Sequence, residues 1–246
     1  MTHPLVATES LPAHLPVVVF MRHAARGALP PGRPGTEVPL NDAGRAAAWA
    51  LGTQLGPRVR SLRSSPVGRC VETATLIGQG ARLDLPCPLD VMLGEPGAFI
   101  THGRLAWESF RRLPLPAVIE ALMRPSPVPP GFRPPGQAVP MLVQHLLHQT
   151  RGQPGLHIAV THDYMVTLLA LQLLGLTPAE ELLADFLEPV IFWLEPDPSP
   201  PEPTSSASPQ RSPTVIPPTV IPPTVLSLGV RFRQLQKVVR LSLETP

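Results

Sequence analysis

Three short apolar stretches of this chain each end in side chains that could carry acid–base or phosphoryl chemistry. The polar residues are Arg22, His23 and Arg26 after residues 17–21, Ser64, Ser65 and Arg69 after the stretch that starts at residue 59, and Thr161, His162 and Asp163 after residues 156–160. Guanidinium groups bind phosphate or carboxylate through paired hydrogen bonds, and a neutral imidazole can act as a nucleophile or a base. These residue types therefore indicate an anion site with a histidine placed to attack the bound group.

Bringing these side chains together requires strands that end at one edge of a sheet. Apolar runs alternate with helical patterns along the chain, which predicts a three-layer α/β sandwich with a mainly parallel sheet and helices on both faces. Ligands of such sheets bind beyond the carboxyl ends of the strands. Predicted strands cover residues 16–21, 59–64, 89–93, 156–160 and 190–194, with one or two more in 225–243, and predicted helices cover 43–55, 67–77, 138–150 and 164–174.

Two Pro-rich stretches interrupt this alternation within what we interpret as a single domain over residues 1–246. Residues 94–136 contain two short helical pieces, and we expect a small cap insertion that lies over the strand edge and supplies substrate contacts. Residues 196–223 contain the pentapeptide Thr-Val-Ile-Pro-Pro twice in succession. Such sequence cannot sustain a helix or a central strand, so we predict a flexible excursion. A passive loop is favoured there over a docking site for a Pro-binding module.

The composition argues against several classes of protein. The net charge is only +2 and no Lys/Arg run is present, which predicts no nucleic-acid partner. The apolar residues 168–176 are too few to span a bilayer, and residues 1–16 lack the pattern of a signal peptide. The two cysteines have no metal-binding spacing. We therefore predict a cytoplasmic protein with a small-molecule partner and no membrane partner, and we leave the oligomeric state open, with a dimer as one option.

The three strand-end motifs resemble, in order and spacing, those of the histidine phosphatase superfamily, which includes phosphoglycerate mutases and histidine acid phosphatases. The resemblance covers about residues 17–194 and rests on Arg22-His23-Ala24, Ser64-Ser65-Pro66-Val67-Gly68-Arg69 and Val160-Thr161-His162. It implies a phosphomonoester hydrolase in which His23 attacks phosphorus and forms a phosphohistidine that water hydrolyses. It further implies that no metal or cofactor is needed, because the phosphoryl group is bound by Arg22, Arg26, Arg69 and His162.

Two acids are candidates for the proton donor that the resemblance implies. Asp163 directly follows His162, as in the acid phosphatases, whereas Glu95 lies about where the mutases place a glutamate. We favour Asp163, because Arg26 also matches the acid phosphatase pattern. We expect Ser64 and Ser65 to cap the helix that carries Arg69, with contact between a serine hydroxyl and the phosphate as the alternative.

The chain departs from the family pattern at two positions, with Ala24 in place of the usual glycine and Ala28 in place of the proline of the acid phosphatases. The charged groups are intact, so we predict hydrolysis of a small phosphorylated metabolite such as a sugar phosphate. One alternative is a phosphotransferase like the phosphoglycerate mutases. The other is a catalytically impaired protein that binds phosphorylated ligands or acts as an adaptor, which Ala24 and the Pro-rich segment motivate.

Overall fold

A six-stranded sheet between two layers of helices makes up the computed structural model, which describes residues 10–30, 33–125, 127–196 and 224–243. The strands there are β1 (Pro16–Arg22), β2 (Val59–Ser64), β3 (Gly155–Thr161), β4 (Pro189–Leu194), β5 (Thr224–Phe232) and β6 (Leu235–Leu243). The helices are α1 (Asp42–Leu55), α2 (Gly68–Gly80), α3 (Gly103–Arg112), α4 (Leu115–Met123), α5 (Pro135–Gln149) and α6 (Asp163–Leu174). Within these ranges no helix is both long and apolar enough to cross a membrane. The predicted excursion over 196–223 lies, from residue 197 onward, outside the described residues.

The sheet has the strand order β2-β3-β1-β4-β5-β6. Strands β2, β3 and β1 run parallel, whereas β4, β5 and β6 continue the sheet by antiparallel pairing. The predicted α/β class is confirmed. The three motif-bearing strands lie side by side and form the parallel half of the sheet. In the register of that half, Arg22 lies opposite Thr161 and Ser64 opposite Val160, so the three strands end at the same level.

The central strand β1 supplies side chains to two separate apolar cores. Successive side chains of a strand point to opposite faces of the sheet. Val17, Val19 and Met21 pack with residues of α1 and α2, whereas Val18 and Phe20 pack with residues of α5 and α6. Burial on both faces explains why the strand consists almost entirely of apolar residues, and it confirms the predicted helical layers on both sides.

The strand that we predicted over residues 89–93 does not form. Leu89 makes an isolated bridge to Ser64, and residues Val91–Leu93 form a 3₁₀ turn instead. The Asp90 side chain accepts a hydrogen bond from the Met92 amide at 3.0 Å. A short polar side chain that bonds to nearby backbone in this way competes with strand pairing, and the prediction was wrong for that reason.

Residues 94–136 contain two short helices, α3 and α4, on the α5–α6 side of the sheet. Helix α4 buries Val118, Ile119 and Leu122 in the same core as α5 and α6. Helix α3 buries only Ala106 and has its other side chains wholly or partly accessible. The role of this segment as a substrate-contacting cap remains a prediction.

Helices α1 and α2 cross closely enough that glycine is required at the crossing. A Cβ atom on Gly52 would lie 2.1 Å from the backbone oxygen of Ile77. We expect Gly52→Ala to lower the free energy of unfolding by about 1–3 kcal/mol in urea denaturation, because the helices must separate. Gly136→Ala is the matched control, since a Cβ atom there meets nothing within 4 Å; its better helix propensity should raise stability by up to about 1 kcal/mol. Equal effects of the two substitutions would contradict this account of the crossing.

Candidate active site

Backbone hydrogen bonds join the three motif-bearing strand ends into one framework. The amide of His23 donates to the carbonyl oxygen of Thr161 at 2.9 Å, and the amide of Ser65 donates to that of Val160 at 2.9 Å. The parallel register therefore continues one residue beyond the strands, into the residues that carry the polar side chains. The sheet edge brings the three motifs together, as the sequence predicts.

The imidazole of His23 is buried and its orientation is fixed at both nitrogens. Nδ1 lies 2.8 Å from the carbonyl oxygen of Ala24, and Nε2 accepts a hydrogen bond from Arg69 Nε at 2.9 Å. Because a carbonyl oxygen can only accept, Nδ1 carries the proton and the lone pair is on Nε2. Burial, together with the charges of Arg69 and Arg22, lowers the pKa of His23 to about 2. The ring is thus neutral at physiological pH, with its lone pair on Nε2.

The second histidine, His162, lies beside the first, with ring centroids 5.9 Å apart. Its Nδ1 accepts a hydrogen bond from Arg69 Nη2 at 3.5 Å, and its Nε2 lies 3.0 Å from Ser65 Oγ. An acceptor at Nδ1 leaves the proton of the neutral ring on Nε2, which donates to the serine hydroxyl. Burial and the adjacent guanidinium groups lower the pKa of His162 to about 4. Ser65 therefore supports His162, and our prediction that Ser64 and Ser65 cap α2 was wrong, because Val67 occupies the cap position without a side-chain hydrogen bond.

Three arginines surround the two histidines. Arg69 donates to the carbonyl oxygen of Gly35 at 2.9 Å in addition to both imidazoles, so it connects the loop before α1 to the site. Arg22 donates to the carbonyl oxygen of Ala184 at 2.7 Å, and Arg26 donates to that of Gly27 at 2.9 Å. Desolvation lowers the pKa of both Arg22 and Arg26, and each also experiences repulsion from Arg69. The mutual repulsion of these cations makes the site favourable for an anion.

Buried donors without partners also indicate a site for an anion. Arg22 Nε and Arg26 Nε are inaccessible to solvent and make no hydrogen bond within the described part of the chain. Leaving a buried donor unsatisfied costs about 1–3 kcal/mol, more for a charged group. Their number at one site indicates that it is built to bind an acceptor-rich ligand.

The two candidate acids occupy different environments. Asp163 Oδ2 forms an ion pair with Arg22 Nη2 at 3.0 Å. Glu95 is exposed as a whole residue, but protein atoms crowd its carboxyl group, and this desolvation raises its pKa against the opposing charge of Arg69. For the pKa of Glu95, the crowding of the carboxyl group matters more than the exposure of the whole residue, since proton affinity depends on the surroundings of the carboxyl itself.

A buried polar network anchors the loop that carries Glu95. Asp90 Oδ2 lies 2.7 Å from His145 Nε2, and Thr161 Oγ1 donates to the carbonyl oxygen of Leu93 at 2.8 Å. These contacts fix the 3₁₀ turn to α5 and to the end of β3. They place the backbone two residues before Glu95 at the same sheet edge as the histidines.

A cavity of about 780 Å³ opens at this edge. Six of the seven predicted site residues line it: His23, Arg26, Arg69, Glu95, His162 and Asp163. The seventh, Arg22, is not among the described lining residues, but it forms an ion pair with Asp163, which is. Arg104 and Trp107 of α3 also line the cavity, whereas His102 is absent from its lining among the described residues.

Two aromatic residues lie at the site that we did not predict there from the sequence. Phe186 lies with its ring 4.0 Å from the Arg22 guanidinium carbon and 5.8 Å from the His23 ring. Tyr164 stacks on His162 with an interplanar angle of 5°. Both contacts depend on tertiary placement, although the position of Tyr164 two residues after a candidate catalytic histidine could have drawn attention to it.

The substitution of Ala24 for glycine causes no backbone strain. Ala24 is fully buried and is not among the residues with positive φ, so its conformation is available to any L-amino acid. Its amide donates to Thr73 Oγ1 at 3.0 Å, and its carbonyl oxygen accepts from His23. The residue therefore retains the backbone groups that hold the imidazole.

Comparison with known proteins agrees with this geometry. The family model of the histidine phosphatase superfamily (branch 1) matches residues 18–186. The chain belongs to the histidine phosphatase superfamily, as its motifs predict. No curated protein sequence gives a significant match.

Solved structures with the same fold include both phosphatases and a mutase. A phosphoserine phosphatase mutant from Entamoeba histolytica, in complex with phosphoserine, has a TM-score of 0.53 at 16% identity over 73% of this chain and 91% of its own. A mycobacterial glucosyl-3-phosphoglycerate phosphatase has a TM-score of 0.50 at 20% identity over 72% and 90%. A phosphoglycerate mutase from Bacillus anthracis has a TM-score of 0.50 at 17% identity over 74% and 88%. At these identities the likeness concerns the fold.

Proposed function

We propose that this protein is a cytoplasmic, metal-independent phosphomonoester hydrolase that acts on a small phosphorylated molecule through a phosphohistidine intermediate. The observation that carries the proposal is the state of His23, a neutral imidazole whose tautomer is fixed by Ala24, whose Nε2 accepts a hydrogen bond from Arg69, and whose pKa is also lowered by the charge of Arg22. A nucleophile needs its lone pair free of a proton, and a phosphoryl group needs fixed positive donors around its oxygens. The free lone pair on His23 Nε2 and the guanidinium groups near it support both roles.

In the first step, His23 Nε2 attacks phosphorus while the bond from phosphorus to the organic oxygen breaks. Arg69 donates to Nε2 in this structure, so its guanidinium must turn to a phosphoryl oxygen before the attack. Arg22 and Arg26, whose Nε groups make no hydrogen bond within the described residues, supply the remaining donors, which stabilise charge on the equatorial oxygens. The three guanidinium charges fill the role that a divalent cation has in other phosphoryl-transfer enzymes.

The leaving oxygen needs a proton, and we propose that Glu95 supplies it. This revises our preference for Asp163, whose carboxylate is held in an ion pair with Arg22 that protonation would break. Glu95 lines the cavity, and its raised pKa favours a populated protonated form. In the second step, the Glu95 carboxylate takes a proton from water, the water oxygen bonds to phosphorus, and the bond from phosphorus to His23 breaks.

The direct test is turnover of p-nitrophenyl phosphate in a buffer that contains a chelator, with rapid quenching at alkaline pH. We expect release of inorganic phosphate and an acid-labile phosphoryl group on His23, located by mass spectrometry. Transfer of phosphate to an added alcohol in preference to water would favour the phosphotransferase. Phosphate binding without turnover at any pH would favour the impaired, ligand-binding protein and overturn the proposal.

The donor assignment predicts a dependence on the leaving group. Glu95→Gln should lower kcat/KM for an alkyl phosphate by about 10²–10³-fold, yet change it little for p-nitrophenyl phosphate, whose phenolate leaves without a proton. Asp163→Asn is the matched carboxyl-to-amide control and should affect both esters equally, because it weakens the anchoring of Arg22. The assignment is wrong if Asp163→Asn, rather than Glu95→Gln, discriminates between the esters.

A further inference from the structure

We infer that the organic part of the substrate is an apolar aryl or alkyl group rather than a polyol such as a sugar. This rests on the proposed function, since it concerns the part of the same cavity that lies beyond the phosphoryl site. A cavity of about 780 Å³ is far larger than a phosphoryl group needs and is in the range that holds a ligand of drug size. The chemistry of the remaining walls therefore decides which organic groups fit.

An aromatic wall leads from the reaction centre to α3. The ring of His162 stacks on Tyr164 with centroids 6.2 Å apart, and the ring of Tyr164 contacts Phe110 at 5.5 Å. Trp107 precedes Phe110 by one helical turn and also lines the cavity, so the two side chains share one face of α3. A substrate bound through its phosphate thus has its organic group alongside this wall.

The remaining lining residues offer few side chains that accept hydrogen bonds from hydroxyls. Leu29, Pro34, Pro66, Val67 and Leu115 are apolar. Arg33, Thr36 and Arg104 are polar, but a guanidinium only donates, so the threonine alone among these three can accept. The lining carboxylates among the described residues are Glu95 and Asp163, both assigned above to the phosphoryl end, and no asparagine or glutamine is present. A sugar would lose its hydration in such a site without equivalent hydrogen bonds, which is costly. Burial of an apolar group is favourable instead, and each buried methylene should raise the binding affinity about four-fold.

Two homologous series test this inference, each from two to eight carbons as a rough range set by the cavity. Alkylphosphonates report binding without chemistry, and their affinity, measured by calorimetry, should rise about three- to four-fold per methylene before it levels off. Alkyl phosphates should show the same rise in kcat/KM, and glycerol phosphate and glucose 6-phosphate should be poorer by at least about ten-fold than alkyl phosphates of similar size.

Variants of Trp107 separate the apolar wall from general effects on the fold. Trp107→Gln should flatten the dependence on chain length in both series, whereas Trp107→Leu should retain most of it. Trp49→Gln, at a half-exposed tryptophan of α1 outside the cavity lining, should leave the dependence unchanged. If both series are flat, or if the polyol phosphates are preferred, the inference is overturned. If phosphonate affinity rises with chain length but no ester is hydrolysed, the inference stands and the proposed function fails.

Discussion

Substitution of His23 by asparagine is expected to lower kcat for p-nitrophenyl phosphate by about four orders of magnitude and to abolish the phosphoenzyme. The substitution removes the atom that we propose to form the bond to phosphorus, and we expect no other group to take its place. His162 is the nearest imidazole, but its Nδ1 faces Arg69 and its Nε2 carries a proton. A small residual rate should persist, because the arginines still bind and polarise the ester. Steady-state kinetics and quenched labelling measure the two effects.

A matched control is available in the same sheet. His157 on β3 is also buried, and it bonds to Ser61 and to the carbonyl oxygen of Gln153 rather than to the cavity. His157→Asn should therefore retain phosphoenzyme formation. Calorimetry should show that the His23→Asn variant still binds inorganic phosphate, since its three arginines remain. Turnover of that variant within ten-fold of the wild type would exclude His23 as the nucleophile.

The placement of His23 among its surrounding donors could be predicted because strong local signals fix it. Strands β1 and β3 are almost wholly apolar, so their ends are clear in the sequence, and the parallel register then brings Arg22 level with Thr161. The polar residue directly after each of the three parallel strands must therefore lie at their shared edge. The principal site residues therefore follow from patterning and chain order.

Other features depended on contacts that no local pattern encodes. Ser65 and His162 are 97 positions apart, and their hydrogen bond turned the serine from a helix cap into a support for the imidazole. Our choice between the two candidate acids likewise depends on where the Arg22 guanidinium lies, because its ion pair with Asp163 is the reason that we propose Glu95 as the donor. Side-chain placement of this kind is set by tertiary packing, which spacing alone does not reveal.

Stability should fall steeply as the pH is lowered from 7 to 5. The folded-state pKa is lowered to about 2 for His23 and to about 4 for His162, against about 6.5 in the unfolded chain. Below pH 6.5 the unfolded chain therefore binds protons that the folded protein excludes. Stability is fully present above pH 6.5 and is lost progressively toward pH 4 for His162 and toward pH 2 for His23. Each histidine should reduce the free energy of unfolding by about 2 kcal/mol between pH 7 and pH 5.

Urea denaturation at pH 7, 6 and 5 in phosphate-free buffer measures this loss, because a bound anion would add stability of its own. His23→Gln should remove about half of the contribution that the two site histidines make, since a neutral amide takes up no proton on unfolding. His148→Gln, at an exposed position on α5, should leave the pH dependence as it is. A free energy of unfolding that stays constant from pH 7 to pH 5 would mean that the two imidazoles are not held neutral by burial. The nucleophile would then lack the property on which the proposed mechanism depends.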